Sequence, residues 1–211
     1  GHEGSLKPSL TSDEMADRLG RAAANLRDVV PLWPRFGRER YTLDTPNTLS
    51  QPWDPGAAGG VAGRLMSLGN FELKPDEALI LTTWPAAGNY QGVQLSDIWT
   101  SSLEYANRQT SLTADQAHQS SDGAYRFVIA HEDPGVQNWL DTTGLPRGFI
   151  LLRFDGVQGV AIPEAEWPRL QRISLDDLSE HLPADTPAFT PDERIEAIEN
   201  RRRHVQKRFG I

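Results

Sequence analysis

No cysteine occurs in the 211 residues, and methionine appears only twice. A structural disulfide, a thiolate nucleophile and a zinc–thiolate centre are therefore excluded. The redox compartment stays open, because a cysteine-free fold suits cytosol and periplasm alike. Long apolar runs are also missing, and nothing approaches the roughly 18 residues that cross a bilayer. Basic residues fall short of acidic ones, 21 against 29, for a net charge of −8. That balance argues against a nucleic-acid partner, since phosphate binding needs a basic surface. What is present is ordinary for a soluble globular protein: 38% hydrophobic and 24% charged residues, too apolar for a disordered chain. The chain opens with "GHEGSLKPSL", without the basic and then apolar order of a signal peptide. Gly1-His2 in place of a methionine resembles a cleavage scar, so a cytoplasmic location is the expectation, with export left open by an N-terminus that looks trimmed.

Three stretches differ in pattern. From Ser12, the residues Met15, Leu19, Ala22, Leu26 and Val29 recur at spacings of three and four, one stripe of an amphipathic helix. Thr11 and Glu14 form a capping box at its start, and Pro31 ends it. Residues 31–63 lose this period and are rich in Pro, Gly and Trp, which predicts an irregular arm wrapping the domain with Leu32, Trp33, Phe36 and Trp53 buried. In the middle, "EALILTTW" (77–84), "YQGVQL" (90–95), "AYRFVIAH" (124–131), "GFILLRF" (148–154) and "VQGVAI" (157–162) read as strands. Pro85–Asn89 and Asp155-Gly156 read as hairpin connections. Tyr125, Phe127 and Ile129 share one face of their strand. At the end, Thr190-Pro191-Asp192-Glu193 starts a helix whose Ile195, Ile198, Val205 and Phe209 follow one face, acidic early and basic late.

The expected architecture is mainly β with flanking helices. Residues 64–165 form an antiparallel β-sandwich or jelly-roll core, preceded by a helix and arm over 1–63 and followed by a strap and amphipathic helix over 166–211.

Motifs for specific chemistry are sparse. The glycines of "GAAGGVAGR" (56–64) match neither nucleotide-binding spacing and read as a structural turn. His131-Glu132-Asp133 is the densest set of possible metal ligands, but neighbouring strand residues point to opposite faces, so no metal and no cofactor is expected. The basic run Arg201–Arg208 reads as a solvated helical face that also docks on its own domain or a neighbouring subunit.

Two connections, 98–121 and 132–147, exceed the ~12–15 residues usual in a compact domain. They carry Asp97 at the border, Trp99, Tyr105 and Asn107 on one side, and Asn138, Trp139 and Asp141 on the other. Aromatic faces beside planar amides and carboxylates suit a polyhydroxylated or amphipathic ligand. The other reading is that the tryptophans plug the sandwich while Asn and Asp cap loop backbone. Both stay open. The expected ligand-binding set is Tyr90, Trp99, Tyr105, Asn107, Asn138, Trp139 and Arg153. Asp97, His131 and Asp141 are the groups for acid–base catalysis should the protein be an enzyme. Arg153, ending an apolar strand, is expected to pair with Asp97 or Asp141.

Several of these segments resemble a bacterial family known only as domain of unknown function 1214 (DUF1214). The matching stretches are "LKPDEALIL" (73–81), "YQGVQLSDIW" (90–99), "TSL" (110–112), "DGAYRFVIAHEDPGVQNWLDTTG" (122–144) and "GFILLR" (148–153). The resemblance implies a β-sandwich of jelly-roll type and no established activity. Family members carry "NWLP" where this chain has Asn138-Trp139-Leu140-Asp141, a variant of shorter members without an upstream domain of the 1254 type. The functional expectation is a binding module for a small polar, sugar-like or amphipathic molecule, with no nucleic-acid or membrane partner. The alternatives are a metal-independent acid–base enzyme, and an accessory subunit that self-associates through its terminal helices.

Overall fold

The computed structural model describes residues 9–157, 159 and 161–210, with backbone alone at 57 and 58. The chain divides into two compact units, with the boundary between Phe36 and Gly37.

In the first unit, helix α1 spans Ser12–Val29, with the Thr11–Glu14 capping box in place. None of its residues is buried. Residues predicted as irregular form a second helix, α2, Leu32–Arg40, which crosses the boundary. Leu32 and Trp33 are exposed, contrary to the burial expected of them. Pro31 and Pro34 hid this helix, although both lie in or before its first turn, where a missing N–H costs nothing.

The second unit is built on two four-stranded sheets. Strands β1 (Arg64–Glu72), β7 (Arg147–Asp155), β3 (Tyr90–Ser96) and β4 (Ser111–Thr113) form one sheet in the order β1-β7-β3-β4, antiparallel throughout. Strands β6 (Trp139–Asp141), β5 (Tyr125–Ala130), β2 (Glu77–Thr83) and β8 (Arg169–Ser174) form the other, where only the β5–β6 pair is parallel. Alternate residues of both sheets meet in one core: Phe71, Leu79, Leu81, Val93, Leu95, Phe127, Ile129, Ile150, Leu152 and Phe154 are all essentially inaccessible. The mainly β architecture with a helix at each end is thus present.

Neither predicted hairpin forms. Strand β2 lies in one sheet and β3 in the other, so 84–89 crosses between layers. After the turn at Gly156 (φ 79°), the N–H groups of Gly156 and Val157 donate to the Gly63 carbonyl at 2.9 and 3.1 Å, and Val157 enters the core. The described part of 157–162 is not a strand. Positions 158 and 160 lie outside the described residues. The chain instead reaches the second sheet as β8, so the sheets extend to Ser174, past the expected limit of 165. An Asp-Gly pair sets a local turn; which sheet the next segment joins is decided by where its apolar side chains find cover.

Parts of both outer faces are covered as well. Residues 48–53 close the free edge of β1, with Ser50 N–H to Leu68 O at 2.8 Å and Trp53 N–H to Met66 O at 2.9 Å. A Cβ at Gly69 would sit 2.2 Å from the Thr48 carbonyl oxygen, so this approach requires glycine. Buried Asn70 donates to the carbonyls of Tyr41 (2.9 Å) and Thr45 (3.0 Å) and accepts from Asn47 N–H (2.9 Å), while Tyr41 stacks on Phe149 at 4.1 Å. The arm predicted from composition does wrap the sheet, from Gly37 onward. On the second sheet, Ala78, Ile80, Val128, Trp139 and Ile173 pack with Leu178 of the short helix α3, Leu178–His181.

Helix α4 spans Pro191–Phe209, with the Thr190–Glu193 capping box and Gly210 in the left-handed region as its stop. Its inward face matches the expected one only in Ile198 and Val205. Ile195 and Phe209 are exposed, and Arg194, Ala197, Ile198, Arg201 and Val205 turn inward. Among the described residues no helix is long and apolar enough to cross a membrane.

Candidate functional site

The two long connections do come together, but as partners of each other. Each contributes a short edge strand, β4 and β6, and side chains stitch the two. Gln109 Nε2 donates to the carbonyls of Gln137 (3.0 Å) and Trp139 (2.6 Å), and Asp141 N–H donates to Gln109 O at 2.9 Å. Gln137 Nε2 reaches Gln116 O at 3.1 Å.

Asn138 sits at the centre of this stitching. Its Oδ1 accepts from His118 N–H at 2.8 Å, and its Nδ2 donates to His118 O at 2.7 Å and Arg126 O at 3.1 Å. The amide mimics a peptide group where no strand runs, which is the reason a buried polar side chain is tolerated. Trp139 is buried in the second cluster, with Nε1 donating to Ala130 O at 3.1 Å. Asp141 is buried too, accepting from Thr143 N–H at 2.6 Å and facing Arg108 Nη1 at 3.0 Å. The turn before them is held by Asp133 Oδ1 accepting Gly135 N–H at 2.9 Å, with Gly135 at φ 75°.

The other candidates scatter. Asp97 caps its own turn, accepting from Trp99 N–H and Ser101 N–H at 2.9 Å each, and leaves Trp99 62% exposed. His131 bridges Thr142 Oγ1 (2.7 Å) and the Leu73 carbonyl (3.2 Å), so Nε2 donates to the carbonyl. Tyr90 is 42% exposed on the outer face of the first sheet, in the row of β7 Asp155, next to Arg153 and Gly92. Arg153 pairs with neither Asp97 nor Asp141; its Nε is buried without a hydrogen-bond partner, between Met66 and Gly92 on adjoining strands. Burial raises the Tyr41 phenol pKa, and the charge of Arg153 pulls it down. The expectation failed because strand alternation points Arg153 away from both connections. Asn107 accepts from Arg202 Nε at 2.6 Å and donates to Glu104.

Of the predicted residues, Tyr105 lines a sizeable cavity. A hollow of about 360 Å³ lies between α4 and the 105–116 connection. Leu112, Phe189, Ala197 and Val205 supply apolar surface, and Gln109, Gln116, Gln137, Asn200, Arg201 and His204 supply polar groups. Two arginines two helical turns apart hold α4 over it. Buried Arg194 pairs with Asp133 (Nε to Oδ2, 2.8 Å), donates to Val136 O at 2.6 Å, and lies over the rings of Phe189 (4.4 Å) and Trp139 (5.2 Å). Arg201 donates to Ser111 O at 2.5 Å and Ser111 Oγ at 3.3 Å, and burial lowers its pKa. Outside the hollow, Arg126 and the Ala124 N–H hold the Asp122 carboxyl at about 2.

Sequence reasoning did not single out either arginine, reading Arg201 only as part of a basic run that is solvated and also docks on its own domain or a neighbouring subunit. The signal available was their spacing of seven within an amphipathic helix. Nothing local marked Gln109, Gln116 or Gln137. Among the described residues no three His, Asp or Glu side chains gather as a metal site.

No protein-family model and no curated protein matches the chain. Among solved structures, an uncharacterised protein from Burkholderia cenocepacia is 26% identical over 82% of this chain, with a TM-score of 0.66. A protein from Vibrio parahaemolyticus is 12% identical over 80% of the chain, with a TM-score of 0.43. The chain spans about half of each, 48% in both cases. The chain therefore shares its fold with the Burkholderia protein.

Proposed function

We propose that this chain is a binding module for a small polar or amphipathic molecule, taken up in the hollow between α4 and residues 105–116. One observation carries the reading: a cavity of about 360 Å³ that combines an aromatic face, planar amides and an apolar floor. That size and mixture are those of ligand sites, where apolar surface gives affinity and a few polar groups give orientation. Removing the Tyr105 ring is expected to weaken any ligand about tenfold, given the ~0.5–1.5 kcal/mol of aromatic contacts beyond area burial. Tryptophan fluorescence titrated with a panel of sugars and small metabolites checks this, since Trp139 O is bonded to the lining residue Gln109. Unchanged affinity of Tyr105→Ala for the hit ligand removes the hollow from consideration.

The acid–base alternative finds no support at Asp97, His131 and Asp141, because each is engaged by the hydrogen bonds that shape its own loop. Membership of the DUF1214 family belongs to the same proposal. It is supported by the segment that carries the resemblance: Asn138, Trp139 and Leu140 are each buried, with a structural task that few other residues fill.

A second reading concerns self-association. Met15, Leu19, Ala22, Leu26 and Val29 keep the alternating four–three spacing of a coiled-coil seam, yet Leu19 and Leu26 are each 63% exposed. We infer that α1 pairs antiparallel with α1 of a second copy. Asp13, Glu14 and Asp17 in one half then face Arg21 and Arg27 in the other, with Arg18 and Asp28 the exceptions, and the helix dipoles oppose. Ala16 and Ala23 beside the seam permit close approach. Light scattering is expected to report a dimer that Leu19→Glu/Leu26→Glu converts to monomer; a wild-type monomer at high micromolar concentration sinks this reading.

A further inference from the structure

Resting on the ligand-binding reading above, we propose that the molecule taken by the α4 hollow is an organic carboxylate. Its charged end meets Arg201, and its apolar portion lies against Leu112, Phe189 and Val205.

The argument begins with what the lining leaves out. The chain has 29 acidic and 21 basic residues, yet no Asp or Glu lines the hollow. The adjoining hollow of about 330 Å³ is lined by Gln94, Ser102, Tyr105, Thr110, Ser111, Arg208 and Phe209, again without a carboxylate. A third hollow of about 400 Å³ elsewhere on the sandwich shows the contrast, since Glu72 and Glu77 stand there with Lys74, Arg147 and Arg172. In a protein of net negative charge, two neighbouring concavities that expose arginine and no acid form a local field suited to an anion.

Arg201 itself points the same way. Arg64, Arg108, Arg126 and Arg194 each face a carboxylate, at 2.5 Å (Asp155), 3.0 Å (Asp141), 2.5 Å (Asp122) and 2.8 Å (Asp133). Arg201 faces only the neutral oxygens of Ser111, and among the described residues no carboxylate lies within ion-pair distance. Burial without a counter-charge lowers its pKa, a cost that an incoming anion relieves. A guanidinium has five N–H donors, so two bonds to Ser111 leave others for a carboxylate. Asn200 and Gln116, on opposite walls, add neutral amide groups. The apolar floor and the single buried cation favour a monocarboxylate with a hydrophobic body over a polyphosphate, which calls for several cations or a cradle of backbone N–H groups.

The test uses amide-resolved NMR titration of the full chain with phenylacetate, its neutral isostere phenylacetamide, methyl glucoside and inorganic phosphate at matched ionic strength. Phenylacetate is expected to shift the amides of 105–116 and α4, with phenylacetamide at least about tenfold weaker, in line with the strength of charge-assisted pairs. Arg201→Gln is expected to remove about tenfold or more of the phenylacetate affinity while leaving phenylacetamide unchanged. The comparison of the two isosteres on the unmodified chain stands even if Arg201→Gln loosens α4. Equal binding of the two isosteres, or a preference for methyl glucoside or phosphate at the same amides, overturns the carboxylate assignment and leaves the hollow a ligand site. If no probe moves these amides, the binding reading and the carboxylate assignment fall together.

Discussion

Asn138→Ala is expected to destabilise the fold by about 3–4 kcal/mol, because it strands three part-buried backbone groups at ~1–3 kcal/mol each, offset by partial relaxation and by access to water. The groups are His118 N–H, His118 O and Arg126 O, all bonded to the Asn138 amide. Asn138→Asp is expected to be at least as costly at neutral pH. It keeps the acceptor for His118 N–H but sets a second anionic oxygen against two carbonyls. Urea unfolding of the two variants gives the values. A different outcome, near-native stability with loss of ligand binding, returns Asn138 to the role of a ligand contact.

Arg194→Met is expected to cost about 3 kcal/mol, at the lower end for a broken buried pair because Asp133 keeps partial access to water. For a chain of this length that corresponds to a fall in Tm of about 6–12 °C. Three interactions disappear at once: the Asp133 pair, the bond to Val136 O, and the contact with the faces of Phe189 and Trp139. Methionine keeps much of the apolar stem, which limits the loss to the charged head. Asp133→Asn is expected to cost about 3 kcal/mol as well: its amide oxygen can still accept from Gly135 N–H, but the buried Arg194 guanidinium loses its counter-charge. A Tm shift below about 2 °C for Arg194→Met places the pair with ordinary surface ion pairs and removes the anchor assigned to the first turn of α4.

What the sequence revealed depended on the range of the interaction that carries each signal. Capping boxes at Thr11 and Thr190 are exchanges across three residues, and both are present as expected. Strands 77–83, 90–96, 125–130 and 147–155 follow from apolar runs or alternation within each segment and formed, whereas the fifth segment read as a strand, 157–162, did not in its described part. The two hairpins did not, because pairing is chosen by the core rather than by the turn: β2 and β3 face each other across Leu81 and Val93 instead of lying side by side. Strands β1, β4, β6 and β8 escaped notice: β4 and β6 have three residues each and carry no period, and β1 and β8 mix apolar and polar residues without regular alternation. The candidate site was legible only at Tyr105. Its remaining walls come from residues near 110, 137 and 200, brought together by bonds such as Gln109 to Gln137 and Arg201 to Ser111.

By itself the sequence determined the class of protein: a cysteine-free, acidic chain with a β core and a helix at each end. Composition and local period settle those properties. Tertiary structure alone decided the fate of "DPGVQNWLDTTG". Its Asn138, Trp139 and Asp141 have the chemistry of a ligand site, but the packing of α4 and the 105–120 connection against them uses every planar group for the fold. It also decided that Arg201, one of several arginines in a basic run, is held over a hollow and bonded to Ser111, with no carboxylate partner among the described residues. The physical reason is that a polar side chain's role is set by which donors and acceptors are left for it once the backbone is in place, and that is a property of the assembled fold.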